Sequence, residues 1–331
     1  MRIAMLTAGA LALVMLPAAH ADVMCRTRSG LLRLRATCKK REVTLPIAIE
    51  DGGATVRIVG ANLQIVSGAG ATDAPVNGRG NLVIGYDAAP TGQAHTGSHN
   101  LVIGDEHVYT SHGGIVAGTD NTIDGPGASV LGGRANHATG ETATIVGGFG
   151  NEASGLRGAV LGGNFNQASG EAATVAGGGN NVASGGSSSV GGGGNNAASA
   201  SFAAIAGGNL GVASGEASTV AGGAQNTASG TTASVGGGTA NVASGQGAVV
   251  AGGVGNAAGG GFTAILGGQE NTAGSGGIMP SGDVDVAFAG GAVVGGRHNT
   301  ASGSYSAVGG GNGRSATGDD DWVAGVLFQD Q

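Results

Sequence analysis

Between residues 113 and 325 the apolar positions of this chain recur with a fixed 15-residue period. One column is β-branched throughout: Ile115, Val130, Ile145, Val160, Val175, Val190, Ile205, Val220, Val235, Val250 and Ile265, resuming in phase at Val293, Val308 and Val323. Eight residues after each mark but the last comes a small apolar column, Ile123, Ala138, Ala153 and onward to Ala316. Two residues before that column stands a polar one, Asn121, Asn136, Asn151, Asn166, Asn181, Asn196, Asn226, Asn241, Asn256, Asn271 and Asn299, with Gly211 and Arg314 as exceptions. Fixed-period self-similarity places equivalent residues above one another in a stack of coils. No 3.6-residue apolar period is present. The unit 128–142 reads as a short strand around Val130, a Gly132-Gly133 turn, a second strand through Asn136 and Ala138, and a turn at Gly140, with glycine supplying positive φ. The pattern therefore predicts an all-β chain, a parallel β-roll or β-helix solenoid of 15-residue coils.

Composition sharpens this. The 73 glycines would each cost a helix roughly 1 kcal/mol relative to alanine, and a flexible Gly/Ser linker would have no reason to keep three columns in register. One Val or Ile and one or two Ala per coil make a thin core, each Val or Ile contributing roughly 1.5–3 kcal/mol when buried. A fourth column, Leu131, Val146, Leu161, Ala176, Leu266 and Val294, would bury more if copies pack along the rod, so a homo-oligomer is expected. The Asn column has two structural readings: left-handed turn residues, or side chains stacked inward as an amide ladder.

The chain divides into five parts. Arg2, the apolar run Ile3–Leu16, Pro17 and Ala19-His20-Ala21 predict a signal peptide over 1–21 with cleavage before Asp22, so the mature chain is expected to be exported and without a membrane-spanning segment. Residues 22–49 form a hairpin module around Ser29-Gly30, with Leu32 and Leu34 on one face. Its cysteines, Cys25 and Cys38, are the only two of the chain and are expected to pair in an oxidising compartment. Half of all Lys and Arg lie between Arg26 and Arg41, a charged face able to meet acidic polymers but more simply solvated. Residues 50–112 are irregular opening coils: Asn81-Leu-Val-Ile-Gly and Asn100-Leu-Val-Ile-Gly are two copies of one motif, and Ala54–Gly60 and Asn62–Gly68 alternate like further strands. The 15-residue repeats occupy 113–325, with an inserted loop near 275–290 on a face where solenoids often carry contacts. A tail covers 326–331. The net charge of −7 and pI of about 5.4 argue against nucleic acid as a partner.

Chemistry is scarce. The Gly-rich stretches lack the Gly-Lys-Ser/Thr of a phosphate loop, and carboxylates in the repeats (Glu141, Glu152, Glu171, Glu216, Glu270) are too scattered for paired acid–base work. His95, His99, Asp105, Glu106, His107 and His112 gather in the opening coils without metal-ligand spacing and read as solvated loop residues. No catalytic residue, cofactor or metal is expected, and the chain is read as a non-enzyme.

The units Asn151-Glu-Ala-Ser-Gly155 and Asn226-Thr-Ala-Ser-Gly230, each followed by a Val- or Ile-centred strand and Gly-Gly, resemble the head repeats of trimeric autotransporter adhesins. They are similar too to secreted bacterial Gly/Ser/Ala-rich repeat proteins, which have counterparts of Asn62–Val66, Gly80–Gly85 and Thr96–Gly104. The resemblance covers about 24–325. It implies a left-handed parallel β-roll, three chains wound together, at the cell surface. The expected function is a surface adhesin or structural fibre binding a host, matrix or cell-surface ligand through many weak identical contacts, located outside the cell, with the periplasm as the other compartment. The competing readings are a monomeric ice- or surface-binding solenoid, which the mixed hydroxyl columns disfavour, and a phage-type fibre acting on polysaccharide.

Overall fold

The computed structural model describes residues 22–28, 32–51, 54–88, 95–274 and 291–324. The expected signal peptide, the 275–290 insertion and the 326–331 tail lie outside the described residues. The described residues fall into two compact units, divided between Gln64 and Ile65.

The first unit is an antiparallel sheet of four strands, β1 (Asp22–Arg26), β2 (Leu32–Arg35), β3 (Val43–Glu50) and β4 (Thr55–Ile58), in the order β2-β1-β3-β4. The expected hairpin is β1 and β2, paired Cys25 to Arg33 and Arg26 to Leu32. Its cysteines form the Cys25–Cys38 disulfide, which closes a loop worth about 3 kcal/mol on the chain-entropy account. The alternating stretch at 54–60 supplies β4, which joins this sheet by pairing with β3, Ile47 to Ile58 and Ile49 to Val56. Asn62–Gly68, the other stretch read as a strand, forms none.

The second unit is the parallel β-solenoid. A sixteen-stranded parallel sheet starts at β5 (Leu82–Ile84), β6 (Leu101–Asp105) and β8 (Ile115–Thr119) and ends at Trp322–Val323. A fourteen-stranded parallel sheet starts at β7 (Val108–Tyr109) and β9 (Thr122–Ile123) and ends at Ser315–Ala316. In the regular part every rung advances by one full period of the repeat, as in Val130 to Ile145 to Val160 and Ala138 to Ala153 to Ala168. The two Asn-Leu-Val-Ile-Gly copies stack as β5 on β6, Leu82 on Leu101. Between the sheets runs a third row that the sequence did not announce, single bridges linking Arg134, Phe149, Asn164 and Gly179 in succession.

The interior is built from the two expected columns. Val130, Ile145, Val160, Val175, Val190, Ile205, Val220, Val235, Val250 and Ile265 are all buried, as are the alanines from Ala138 to Ala316. Ile115 is a correction. Val130 pairs with Val116, and Ile115 lies beside Ser129 and is exposed. The first rung is one residue short, and because side chains alternate, a slip of one exchanges the inward and outward faces.

The turns correct a second expectation. Gly133 has the expected positive φ of 85°, but the left-handed residue of the other turn is Thr142, at 54°, not Gly140. Gly140 is needed for closeness: a Cβ there would lie 2.2 Å from the Gly155 carbonyl oxygen. Left-handed residues of many types recur at these corners, for example Phe165, Leu210, Phe202 and Arg157. Their amides turn back to the preceding coil, Phe165 N–H donating to Phe149 at 3.0 Å and Arg157 N–H to Glu141 at 2.9 Å, whereas strand amides donate to the following coil. The hydrogen bond gained offsets the roughly 1–2 kcal/mol cost of the left-handed backbone.

Candidate functional site

Two features of the solenoid concentrate polar chemistry: an internal ladder and the first coil. The Asn column points inward. Asn136, Asn151, Asn166, Asn181, Asn226 and Asn241 are fully buried, and none of them has positive φ; the left-handed residue is the one before, such as Ala135 or Asn180. Asn181 shows the wiring. Its Oδ1 accepts from the N–H of Asn196 at 3.0 Å, and its Nδ2 donates to the carbonyls of Gly177 and Gly193 at 2.9 and 3.0 Å. Each buried amide therefore satisfies backbone groups of its own coil and the next.

The ladder begins with two residues of other types. His107 is fully buried, its Nδ1 accepts from Asn121 N–H at 3.3 Å and its Nε2–H donates to the Ile103 carbonyl at 3.0 Å. Those partners fix the tautomer, since an N–H can only donate and a carbonyl can only accept. The His107 N–H in turn donates to Asp87 Oδ1 at 3.1 Å. At the far end Arg314 N–H donates to Asn299 Oδ1.

Around Asp87 the first coil carries a compact cluster. The Asp87 side chain is 2% exposed, and its Oδ2 faces His95 Nδ1 at 3.7 Å. His95 Nε2–H donates to the His107 carbonyl at 2.8 Å, and its ring stacks on Tyr109 with centroids 4.6 Å apart. His99 Nε2 accepts from Ser67 N–H at 2.9 Å. His95, His99 and His107 are thus not solvated loop residues: His107 occupies the Asn column, and His95 covers the aromatic end of the Ala column. They do not converge with Asp105 and Glu106, and the sole grouping of three potential metal-binding side chains among the described residues is Cys25, Cys38 and Glu42, where the disulfide consumes both sulfurs.

Burial first, then the nearby charge of Asp87, push the Tyr109 phenol from 10 to about 12. The folded state thus holds the proton more tightly than the unfolded chain. Its contribution is complete below pH 10 and is lost as pH rises through 12. Relative to Tyr109→Phe, the wild-type chain is expected to lose on the order of 2 kcal/mol over that interval, measured by denaturant titration at each pH. Parallel losses in the two proteins would remove Tyr109 from the first coil's stability.

Outside the core, the fourth column remains uncovered: Leu131, Val146 and Leu161 are 48%, 44% and 50% exposed, and Leu266 and Val294 60% and 55%. Ile84 and Ile103, 53% and 37% exposed, continue it over the first coils. The acidic turn Asp319-Asp320-Asp321 is partly structural, Asp319 accepting from Ser304 N–H at 3.0 Å and Asp321 from Gly318 N–H at 2.6 Å. Among the described residues no helix is long and apolar enough to cross a membrane. No protein-family model matches this chain, and comparison with curated proteins finds no match.

Proposed function

We propose that this is an exported, non-enzymatic repeat protein that acts as a surface adhesin or structural fibre, its copies associating as a homotrimer. The observation that carries the reading is the uncovered apolar column just past the strands of the sixteen-stranded sheet, Leu131, Val146 and Leu161 on consecutive coils. Burying apolar surface of this kind contributes about 25 cal/mol per Å², and a second and third copy would supply the cover that a core of one Val and two small side chains per coil lacks. Stacked identical coils also present the same outward positions many times, so weak contacts to a cell-surface or matrix ligand add as avidity.

Light scattering coupled to size exclusion, on residues 22–331 with the disulfide formed, tests the assembly. A mass three times that of the chain supports it. A compact monomer sinks the trimer and favours a lone surface-binding solenoid, for which thermal hysteresis is then the assay. Leu131→Ser together with Leu161→Ser is expected to dissociate the trimer, and an unchanged mass would place the contact elsewhere.

A further inference from the structure

The charges of the two units are opposed. Residues 22–64 hold eight Lys and Arg against four Asp and Glu, whereas 65–331 hold five against seventeen. In the first unit the acids are already engaged: Glu42 lies 3.2 Å from Arg35, Glu50 pairs with Arg57, and Asp51 accepts from the Thr55 hydroxyl at 2.9 Å. The Asp22 side chain lies outside the described ones. Arg26, Arg28, Lys39, Lys40 and Arg41 are exposed and have no carboxylate partner among the described residues.

These five cations come from two stretches that the fold draws together. The Cys25–Cys38 disulfide joins the residue before Arg26 to the residue before Lys39, and Arg26 pairs with Val43 in the sheet. Two adjoining open clefts result, one including Arg26, Arg28 and Arg41, the other Arg28, Lys39, Lys40 and Arg41 together with Glu42, whose carboxylate is held by Arg35 and by the Lys39 N–H. We propose that this disulfide-clamped cleft is a binding site for an acidic polysaccharide, a linear polymer of carboxylates or sulfates.

Three observations favour that ligand class. Both clefts are open and share Arg28 and Arg41, a continuous groove suited to an extended chain. Unlike single-stranded nucleic acid sites, which stack bases on aromatic rings, residues 22–64 contain no Phe, Tyr, Trp or His. The disulfide suits an oxidising compartment, where the polyanions a protein meets are chiefly glycans. Counterion release would drive the association, making it salt-dependent.

The test uses the full chain with its bridge formed, on immobilised heparin (sulfates), polygalacturonate (carboxylates) and neutral dextran. Retention on one or both acidic polymers and none on dextran is expected, the two arms deciding which acid group is preferred. Replacing Arg28, Lys39, Lys40 and Arg41 by Gln should lower the slope of log affinity against log salt by roughly one per cation removed. A second variant, with Arg79, Arg134, Arg157 and Arg297 replaced by Gln, loses the same charge outside the cleft and should be retained as the wild type is. Passage through both acidic columns at low salt, or equal losses in the two variants, would overturn the proposal. So would equal or tighter binding to duplex DNA or to anionic vesicles. The mass by light scattering should be the same in wild type and cleft variant, so this outcome is independent of whether the solenoid is an adhesive trimer.

Discussion

Gly178→Ala is expected to destabilise the solenoid by about 4 kcal/mol, whereas Gly177→Ala, one residue earlier, is expected to change stability by less than about 0.5 kcal/mol. The two glycines are adjacent in a turn that repeats in every coil, yet their surroundings differ. At Gly178 φ is 85°, and a Cβ would lie 2.1 Å from the Gly193 carbonyl oxygen and 2.7 Å from Asn181 Nδ2. Neither neighbour can retreat, because the carbonyl belongs to the next coil and the amide is fixed at both ends of its ladder. A Cβ at Gly177 meets nothing within 4 Å, and the loss of glycine's freedom in the unfolded chain favours alanine slightly. Gly237 and Gly238 repeat the contrast, with 2.1 Å to the Gly253 carbonyl at the second position and open space at the first. Thermal and denaturant unfolding of the four variants measures it. Equal effects at both positions of a pair would mean that the coils do not stack at this distance. Because each coil touches only its neighbours, the damage should split unfolding into two stages rather than lower one transition uniformly.

The second large effect concerns the ladder, where addition and removal should have opposite signs. Asn181→Ala removes the acceptor of the Asn196 N–H and the donor to the Gly177 and Gly193 carbonyls. The Asn196 N–H and the Gly177 carbonyl lose their partner at about 1–3 kcal/mol each before relaxation, while the Gly193 carbonyl keeps the Gly179 N–H at 2.9 Å, so a net loss of about 2–4 kcal/mol is expected. The chain itself contains the reverse experiment. At position 211 the column holds glycine, whose N–H donates to Asn196 Oδ1 at 2.8 Å but which offers no side chain to the Asn226 N–H. A Cβ at 211 would meet Asn196 Oδ1 at 3.0 Å and otherwise only Val220 and Ile205 at 3.6 Å or more. Gly211→Asn is therefore expected to stabilise by about 1–2 kcal/mol, through new hydrogen bonds and a less flexible unfolded chain. Destabilisation by Gly211→Asn would show that the column tolerates the gap for a steric reason.

The legible and illegible parts of this molecule separate by residue. Val130, Ile145 and their successors announced a core because a β-branched residue recurs at one phase through more than ten coils. Ile115 misled for the same reason: it fits the phase of the repeat, yet the shortened first rung puts Val116 inside. The Asn column was visible, but its direction was not, since a left-handed turn residue and an inward amide leave the same mark in a sequence. His107 belongs to that column and was hidden by its type; its place one shortened coil before Asn121 is the signal that could have found it. Of the first-coil cluster, Asp87, His95 and Tyr109 fall in separate stretches of the chain and share no motif. Strand stacking alone brings them together.

Taken by itself, the sequence determined the coil period, the strand-turn alternation, the inward Val and Ala columns, and the two cysteines available to pair. These follow from local geometry, because a two-residue alternation repeated once per coil can bury its apolar side only by stacking. Tertiary structure alone decided the rung offset at Val116, the left-handed corners occupied by residues as different as phenylalanine and arginine, and the continuation of the ladder into His107 and Asp87. It also decided which glycines tolerate a side chain. All of these depend on distances between successive coils, a hydrogen-bond spacing of about 4.8 Å that one period of sequence does not encode. At that spacing a carbonyl of the next turn, rather than any neighbour along the chain, determines what fits.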